Sequence, residues 1–336
     1  MTGSSEMRAL QLRAPRTFAP VHVPAPSLAG TAGESLLVRT LRVSICGSDI
    51  PFFTGEKPRL AFPLPPGAHV HECVGRVEAS TSRPFKPGDL VAAVPEDDLG
   101  LAELFVARAD KSVLLADDLG DCEECTFIQP LSTVLNAVDR LGELQGRSVA
   151  VVGLGFVGLF FCWLLRKRGA GAILGIDPLP YRCEVARTLG ATLTLPHPAI
   201  EVVRGLRGST PGWVDPDICI EAVGHQSQTL NDCVHLVAEG GSILAFGVPD
   251  KPVYDFEFER FFRKNARLVA VVTPDWRRYL REACDLLTSV RQELAPLATH
   301  RFPILEAGRA FDLYAERRDG ILKAVLDATS WEPRGA

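Results

Sequence analysis

Apolar and polar positions follow two different patterns along this chain. Before about residue 118, short apolar runs are separated by segments rich in Pro and Gly, which predicts strands joined by tight turns. The predicted strands span residues 35–43, 73–78, 89–94 and 101–106. This part of the sequence therefore indicates a compact, mainly β domain.

From about residue 146 to 273, continuous apolar runs alternate with amphipathic stretches. Strands buried on both faces are continuously apolar, so this pattern predicts an α/β domain with a doubly wound parallel sheet of six strands. The predicted strands are 148–153, 172–177, 191–195, 217–222, 242–247 and 268–273, with helices between them such as 156–168 and 181–189. Residues 276–336 predict two helices joined by a Pro-containing link, then a terminal strand at 321–327.

A glycine-rich turn follows the first strand of this second part. It reads G-x-G-x-x-G at 153–158, and the residues expected at the cofactor are Gly153, Gly155, Phe156, Val157 and Gly158. The first Gly permits the turn, the second lets a pyrophosphate approach the backbone, and the third lets the helix pack on the sheet. The alternatives are glycines that serve packing only, or a site for another adenosyl compound such as S-adenosylmethionine.

An acidic residue supports a dinucleotide at this turn. The next strand ends at Asp177, where a carboxylate accepts hydrogen bonds from the adenosine ribose and repels a 2′-phosphate. The sequence therefore favours NAD over NADP. Arg182 lies either over the adenine or simply on the surface.

Potential metal ligands occur in two segments of the first part. Residues 44–49 include Cys46, and residues 69–75 include His71 and Glu72. Cys, His and carboxylate are the ligands of catalytic Zn²⁺ sites that keep one position open. Zinc is a Lewis acid that would make an alcohol more acidic while a nicotinamide accepts the hydride. From these residues alone, a buried thiol and a surface His-Glu pair remain an equal alternative.

Composition and charge exclude several classes of protein. The 336 residues suggest two domains, and the net charge of −5 is spread without a basic cluster, so we expect no nucleic-acid partner. The longest apolar stretch, 156–165, is too short to span a bilayer, and no signal peptide is apparent. Nine scattered cysteines predict free thiols and a soluble, cytoplasmic protein. We interpret the pair Cys122 and Cys125 as packing or capping thiols.

The order of these motifs resembles the zinc-containing medium-chain dehydrogenase/reductase family, which includes sorbitol, threonine and secondary-alcohol dehydrogenases. The matching motifs are C-G-S-D at 46–49, H-E-x-x-G at 71–75, K-P-G-D-L-V at 86–91, G-L-G-F-V-G at 153–158, E-A-V-G at 221–224, the segment 240–248, and T-H-R-F at 299–302. The resemblance implies a GroES-like, mainly β catalytic domain (1–128 and 275–336) and a Rossmann NAD-binding domain (129–274). It also implies a homodimer or homotetramer.

The resemblance also implies roles for individual residues. Cys46 and His71 would bind zinc, with Glu72 as a ligand or a neighbouring carboxylate. Ser48 would hydrogen-bond the substrate oxygen and pass its proton to the cofactor ribose. The residues expected along the nicotinamide half of the cofactor are Thr133, Val223, Gly247 and Val248, with Lys323 near the pyrophosphate.

The sequence departs from the family pattern at four places. Gln129 replaces an acidic or Cys residue that is often associated with the metal. The expected G-H-E is Val70-His71-Glu72, which leaves His69 as an alternative ligand, and Pro51 stands where a proton-relay histidine is common. The lobe with four zinc-binding cysteines is missing between residues 94 and 104, so we expect one catalytic zinc and no structural zinc.

Three functions remain open from the sequence. The first is a zinc- and NAD-dependent dehydrogenase of a secondary alcohol such as a polyol, sugar, cyclitol or amino alcohol. The second is a zinc-free relative that reduces a carbonyl or an activated double bond. The third is a non-catalytic NAD-binding protein.

Overall fold

The computed structural model describes residues 6–57, 59–206, 208–211 and 213–332. The chain divides into two units, Met1–Ser132 with Asp275–Ala336, and Thr133–Pro274. The strands are β1 Glu6–Ala14, β2 Thr17–Pro24, β3 Ser35–Ser44, β4 Glu72–Ser80, β5 Leu90–Pro95, β6 Leu104–Leu114, β7 Ser148–Val152, β8 Ala172–Ile176, β9 Leu193–Leu195, β10 Ile218–Glu221, β11 Ser242–Ala245, β12 Arg267–Ala270, β13 His300–Pro303 and β14 Ala324–Asp327. The helices are α1 Ile50–Thr54, α2 Ile128–Asp139, α3 Phe156–Lys167, α4 Pro180–Thr188, α5 Ala199–Glu201, α6 Gln228–Leu236, α7 Phe258–Arg263, α8 Trp276–Leu294 and α9 Ala307–Glu316.

The first unit is mainly β. Its six-stranded sheet has the order β13-β14-β3-β4-β5-β6, and β3 also pairs with β6, while β1 and β2 form a separate antiparallel hairpin. Alternation along β3 explains its place in the sheet, because Leu36 and Val38 are buried whereas Arg39 faces solvent. Buried aromatic side chains, among them Phe53 and Phe311, complete the core.

The second unit is a parallel sheet in the order β12-β11-β10-β7-β8-β9. β7 pairs in parallel with both β8 and β10, so later strands are added on one side of β7 first and then on the other. The carboxyl ends of these three strands therefore meet at the position where doubly wound sheets bind ligands. The helix α3, which follows β7, is apolar and almost wholly buried.

The predicted α/β fold class is confirmed, with the six parallel strands at the predicted places. The sequence pattern missed the β1–β2 hairpin and β13. It also ended β6 at residue 106, whereas the strand continues to Leu114, because Arg108 is exposed and interrupts the apolar run without leaving the sheet. Among the described residues, no helix is long and apolar enough to cross a membrane.

Candidate active site

A pair of antiparallel strands brings the expected metal ligands together. Cys46 follows the end of β3, and His71 and Glu72 stand at the start of β4. Ser44 pairs with Glu72 in this ladder, so the end of one strand lies beside the start of the other. The ligand atoms of Cys46, His71 and Glu72 lie within 4.8 Å of one another.

The Glu72 carboxylate is buried and held on one side. Its Oε2 accepts a hydrogen bond from the Ser44 hydroxyl and lies 2.5 Å from the Lys323 ammonium. Lys323 Nζ also donates to the Ile45 carbonyl at 2.9 Å. Glu72 Oε1 is buried and has no hydrogen-bond partner among the described residues.

These residues fit a zinc ion. A thiol, an imidazole and a carboxylate are the ligand types zinc prefers, and three protein ligands leave a position open, as in catalytic sites. A buried oxygen without a partner is unfavourable, and a cation at this position would satisfy Glu72 Oε1. Cys46, His71 and Glu72 would hold the metal.

Asp49 orients the neighbouring imidazole. Its carboxylate is buried, Oδ2 accepts a hydrogen bond from the Cys46 backbone N–H at 2.8 Å, and Oδ1 lies 3.3 Å from His71 Nδ1. A carboxylate on one ring nitrogen fixes the ring and leaves the other nitrogen for a metal.

His69 continues this chain of contacts. Its Nδ1 lies 3.2 Å from Asp49 Oδ1, its Nε2 lies 3.1 Å from Asp98 Oδ2, and its ring stacks on Phe52 with centroids 3.8 Å apart. The atoms of Asp49, His69 and His71 form a second group close enough to bind a metal. Both His69 ring nitrogens face carboxylates, so His69 supports Asp49 in the described structure.

Burial and neighbouring charges have opposite effects on the pKa values of Asp49, His69 and His71. Burial alone would raise the pKa of Asp49, but His71 and His69 lower it to about 2. Burial alone would lower the pKa of His69, but hydrogen bonds to Asp49 and Asp98 raise it to about 9. The pKa of His71 is also raised well above its usual value, chiefly by Asp49 against the effect of burial.

The other residues expected near the metal have clear positions. Ser48 is partly exposed in the 3₁₀ turn Gly47–Asp49, and Pro51 is buried in α1. Gln129 lies in the first turn of α2, where its carbonyl accepts a hydrogen bond from Ser132. Lys323 is 1% exposed, and its side chain pairs with Glu72; its expected place near a pyrophosphate stays a prediction.

The glycine turn of the second unit has the geometry that a dinucleotide requires. Gly153 has a φ of +92°, which side chains rarely adopt. A Cβ on Gly158 would lie 1.9 Å from the Gly153 carbonyl oxygen, so only glycine allows α3 to start there. Asp177 is buried at the end of β8, and its carboxylate accepts hydrogen bonds from the N–H groups of Leu154 (2.8 Å) and Leu179 (2.9 Å).

The remaining expected cofactor residues lie around this turn or on α2. Arg182 Nη1 is 3.5 Å from Asp177 Oδ2, and Phe156 is buried at the start of α3. Val157 is partly exposed in α3, and Thr133 is partly exposed in α2. The turn fits NAD, because a Cβ on Gly155 would meet only Arg182 Nη1 at 3.9 Å, which leaves open space where a pyrophosphate approaches the backbone.

Glu221 organises the loops that carry the last three expected cofactor residues. Its Oε1 accepts hydrogen bonds from the N–H groups of Val223 and Gly224, both at 3.0 Å. A Cβ on Gly247 would lie 2.1 Å from Gly224 N, so these loops touch, and Val248 is 38% exposed beside them.

Sequence reasoning missed several residues of the metal site. The sequence pattern gives no role to Asp49, Asp98 or Ser44, although Asp49 ends the C-G-S-D motif. In the second unit it places Glu221 in a motif without a role, although an acidic residue at the end of a buried strand can hold the following loop with its carboxylate. Asp98 carried no signal, because its contact with His69 depends on the fold.

Comparison with known proteins gives the class. Residues 157–289 match the zinc-binding dehydrogenase family, and residues 32–126 match the alcohol dehydrogenase GroES-like domain. The chain is 26% identical to an L-threonine 3-dehydrogenase from Caldanaerobacter subterraneus, covering 87% of this chain and 91% of that protein. It is 27% identical to a sorbitol dehydrogenase from Gallus gallus, covering 89% and 92%. The solved structure of an alcohol dehydrogenase from Thermus sp. ATN1 superposes with a TM-score of 0.79 at 29% identity, covering 96% and 99%.

Fold, site and relatives define an oxidoreductase with a GroES-like domain, a dinucleotide-binding sheet and a zinc site. The chain belongs to the zinc-type medium-chain dehydrogenase family. The predicted family and its two cofactors, zinc and NAD, are confirmed at this level. The expected lack of a structural zinc stays a prediction.

Proposed function

We propose that this protein is a zinc- and NAD-dependent dehydrogenase that interconverts a secondary alcohol and its ketone. The observation that carries the proposal is the arrangement of Cys46, His71 and Glu72, with the free oxygen of buried Glu72 beside the other two ligands. When bound, zinc supplies a Lewis acid that acidifies the alcohol, and NAD accepts the hydride.

The chain's own residues prepare this chemistry. Lys323 and Ser44 hold Glu72 Oε2 and leave Oε1 for the metal. Asp49 fixes His71 by its Nδ1. Ser48, on the turn that also carries Cys46, would accept the proton of the substrate hydroxyl and release it toward the cofactor ribose.

Two arguments support the substrate and cofactor classes. The named relatives act on sorbitol and threonine, which are secondary alcohols with polar neighbours, so we propose a polyol, sugar, cyclitol or amino alcohol. The carboxylate of Asp177 disfavours a 2′-phosphate, so we propose NAD rather than NADP.

The test is a Cys46→Ser variant assayed with a panel of these alcohols and NAD. We expect loss of bound zinc and a fall in kcat/KM of roughly a hundredfold or more, because the protein without its metal does not polarise the alcohol. Cys284→Ser is the matched control, because Cys284 is a buried thiol of the same unit whose Sγ contacts the Leu114 carbonyl. Full turnover by zinc-free Cys46→Ser protein would contradict the proposal.

We further propose that the protein works as a homodimer or homotetramer in the cytoplasm. All nine cysteines are free thiols, which agrees with a reducing compartment. Light scattering at several protein concentrations tests the oligomeric state.

A further inference from the structure

A pair of cysteines lies close together outside the metal site. Cys122 precedes the 3₁₀ turn Glu123–Phe127, and the Cys125 N–H donates to the Cys122 carbonyl at 3.1 Å. This turn brings the two Sγ atoms to 3.2 Å from each other. A disulfide bond of about 2.05 Å would therefore need a movement of only about 1.2 Å.

The two sulfurs differ in their access to solvent. Cys125 is fully buried, and its Sγ lies 3.7 Å from the Gly120 carbonyl. Cys122 is partly exposed. The sulfur of Cys122 is therefore accessible to a solute, whereas the sulfur of Cys125 is not.

The surroundings shift the pKa values of the two thiols in opposite directions. The hydrogen bond from Cys125 lowers the pKa of Cys122, against burial and the nearby Glu124, and Arg291 of α8 adds to the lowering. The same hydrogen bond and burial raise the pKa of Cys125. Since the thiolate is the nucleophile of a thiol, Cys122 is the more reactive of the two.

We propose that Cys122 and Cys125 form a redox-active dithiol that exchanges with low-molecular-weight disulfides. The Cys122 thiolate attacks one sulfur of the small disulfide, which forms a mixed disulfide and expels one small thiolate. Cys125 gives its proton to solvent, and its sulfur then attacks the Cys122 sulfur and expels the second small thiolate. The protein loses two protons and two electrons, and the small disulfide is reduced to two thiols.

A second thiol pair of the same chain gives a natural contrast. Cys219 of β10 and Cys233 of α6 also contact each other, but both are fully buried. Burial and this contact raise the pKa of Cys233 well above its usual value. Proximity is thus present in both pairs, whereas an accessible sulfur is present only in the first.

The experiment treats the full chain with oxidised glutathione, alkylates the remaining thiols and maps them by mass spectrometry. We expect a disulfide between Cys122 and Cys125 that a dithiol reductant reverses, and unmodified Cys219 and Cys233. Cys125→Ser should accumulate a glutathione adduct on Cys122, because the resolving sulfur is missing. Cys122→Ser should leave Cys125 unmodified.

A charge variant separates reactivity from simple exposure. Arg291→Met should slow alkylation of Cys122 near neutral pH by roughly threefold to tenfold, since one unit of pKa changes the thiolate fraction up to tenfold. Arg277→Met is the matched control, because Arg277 lies about 21 Å from Arg291 along α8 and should change nothing.

Two results would overturn the proposal, and both are independent of the proposed dehydrogenase activity. One is complete alkylation of wild-type Cys122 and Cys125 after the glutathione treatment. The other is a folded Cys125→Ser protein without an adduct on Cys122. The wild-type measurement stands even if a variant fails to fold.

Discussion

At the residue scale, the Lys323–Glu72 pair shows how a buried carboxylate finds a partner beside a metal site. Both side chains are almost completely inaccessible, and the ammonium also satisfies the Ile45 carbonyl. The resemblance implied a place near the pyrophosphate for Lys323 but gave no information on its partner. Such a pairing depends on the register of β14 against β3, which residues 321–327 alone do not reveal.

Replacing this lysine should therefore affect stability strongly. Lys323→Met removes the ammonium that pairs with Glu72 Oε2, which costs about 3–5 kcal/mol in the metal-free protein because the buried carboxylate loses its partner. We expect that loss in the free energy of unfolding measured with urea. Lys86→Met, at an exposed position of the same unit, should differ from wild type by less than about 0.5 kcal/mol. Equal midpoints for the two variants would refute the role of Lys323.

Asp49 should affect the affinity for zinc without being a zinc ligand. Asp49→Asn keeps the side-chain size but removes the charge facing His71 Nδ1. Zinc affinity, measured by competition with a chelator, should fall by about 10- to 100-fold. Asp98→Asn changes a side-chain contact with the outer His69 and should lower zinc affinity far less. A tighter zinc site in Asp49→Asn would show that the carboxylate does not orient the imidazole.

At the scale of elements, the sequence predicted what depends on periodicity. Continuous apolar runs such as residues 148–152 predicted the parallel strands, because burial on both faces leaves no polar position. The β1–β2 hairpin escaped prediction because Pro20 and Pro24 occur within β2 and break the pattern expected of a strand. Proline is tolerated there because this two-stranded element leaves one edge unpaired.

The contact between β7 and α3 depends on a single glycine. In Gly158→Ala the new methyl would meet the Gly153 carbonyl, so the helix must shift. We expect the second unit to lose about 2 kcal/mol of stability and NAD affinity to fall, measured by denaturation and by calorimetry. Gly308→Ala in α9 has open space around the methyl and should be neutral or slightly stabilising. Unchanged NAD binding in Gly158→Ala would contradict the close packing.

The β1 strand is attached through an ion pair that depends on pH. Burial alone would raise the pKa of Glu103, but hydrogen bonds from the Arg8 backbone and side chain outweigh it and lower the pKa. Because the folded pKa lies below the unfolded value of about 4.3, the stabilisation is complete above that pH and disappears as the pH falls through the folded pKa.

Wild type should therefore exceed Glu103→Gln in stability by about 1 kcal/mol near pH 7. Urea unfolding at a series of pH values should show this difference closing below about pH 4. Glu78→Gln, which affects the exposed pair with Arg39, should give a smaller difference. A Glu103→Gln difference that grows on acidification would reverse the assigned sign.

At the scale of the whole molecule, each unit carries one set of ligand-binding groups. The expected metal ligands belong to the first unit, and the glycine turn and Asp177 belong to the second. The sequence indicated two parts, because its pattern of apolar positions changes between about residues 118 and 146. The resemblance implied a boundary at residue 128, and the contacts divide the chain at Ser132, inside α2. A boundary within a continuous helix leaves no break in the pattern to detect.

Removing the metal should consequently destabilise the first unit and leave the second unit unchanged. Ligand at 100 times its Kd stabilises a native state by about 2.7 kcal/mol. With a chelator, we expect faster amide hydrogen exchange around residues 43–49 and 69–74 and no change at 148–177. Adding NAD should protect 148–177 instead. A chelator that leaves the exchange of the first segments untouched would argue against zinc at this site.

The first unit is assembled from the two ends of the chain, and this has a consequence for biosynthesis. The second unit, Thr133–Pro274, is complete before the C-terminal segment leaves the ribosome. The cation that compensates Glu72 arrives only with Lys323, after the whole second unit has been translated. The nucleotide-binding half can thus fold first, while the metal-holding half must wait for residues that are synthesised later, and a chain terminated after Pro274 would keep only the former.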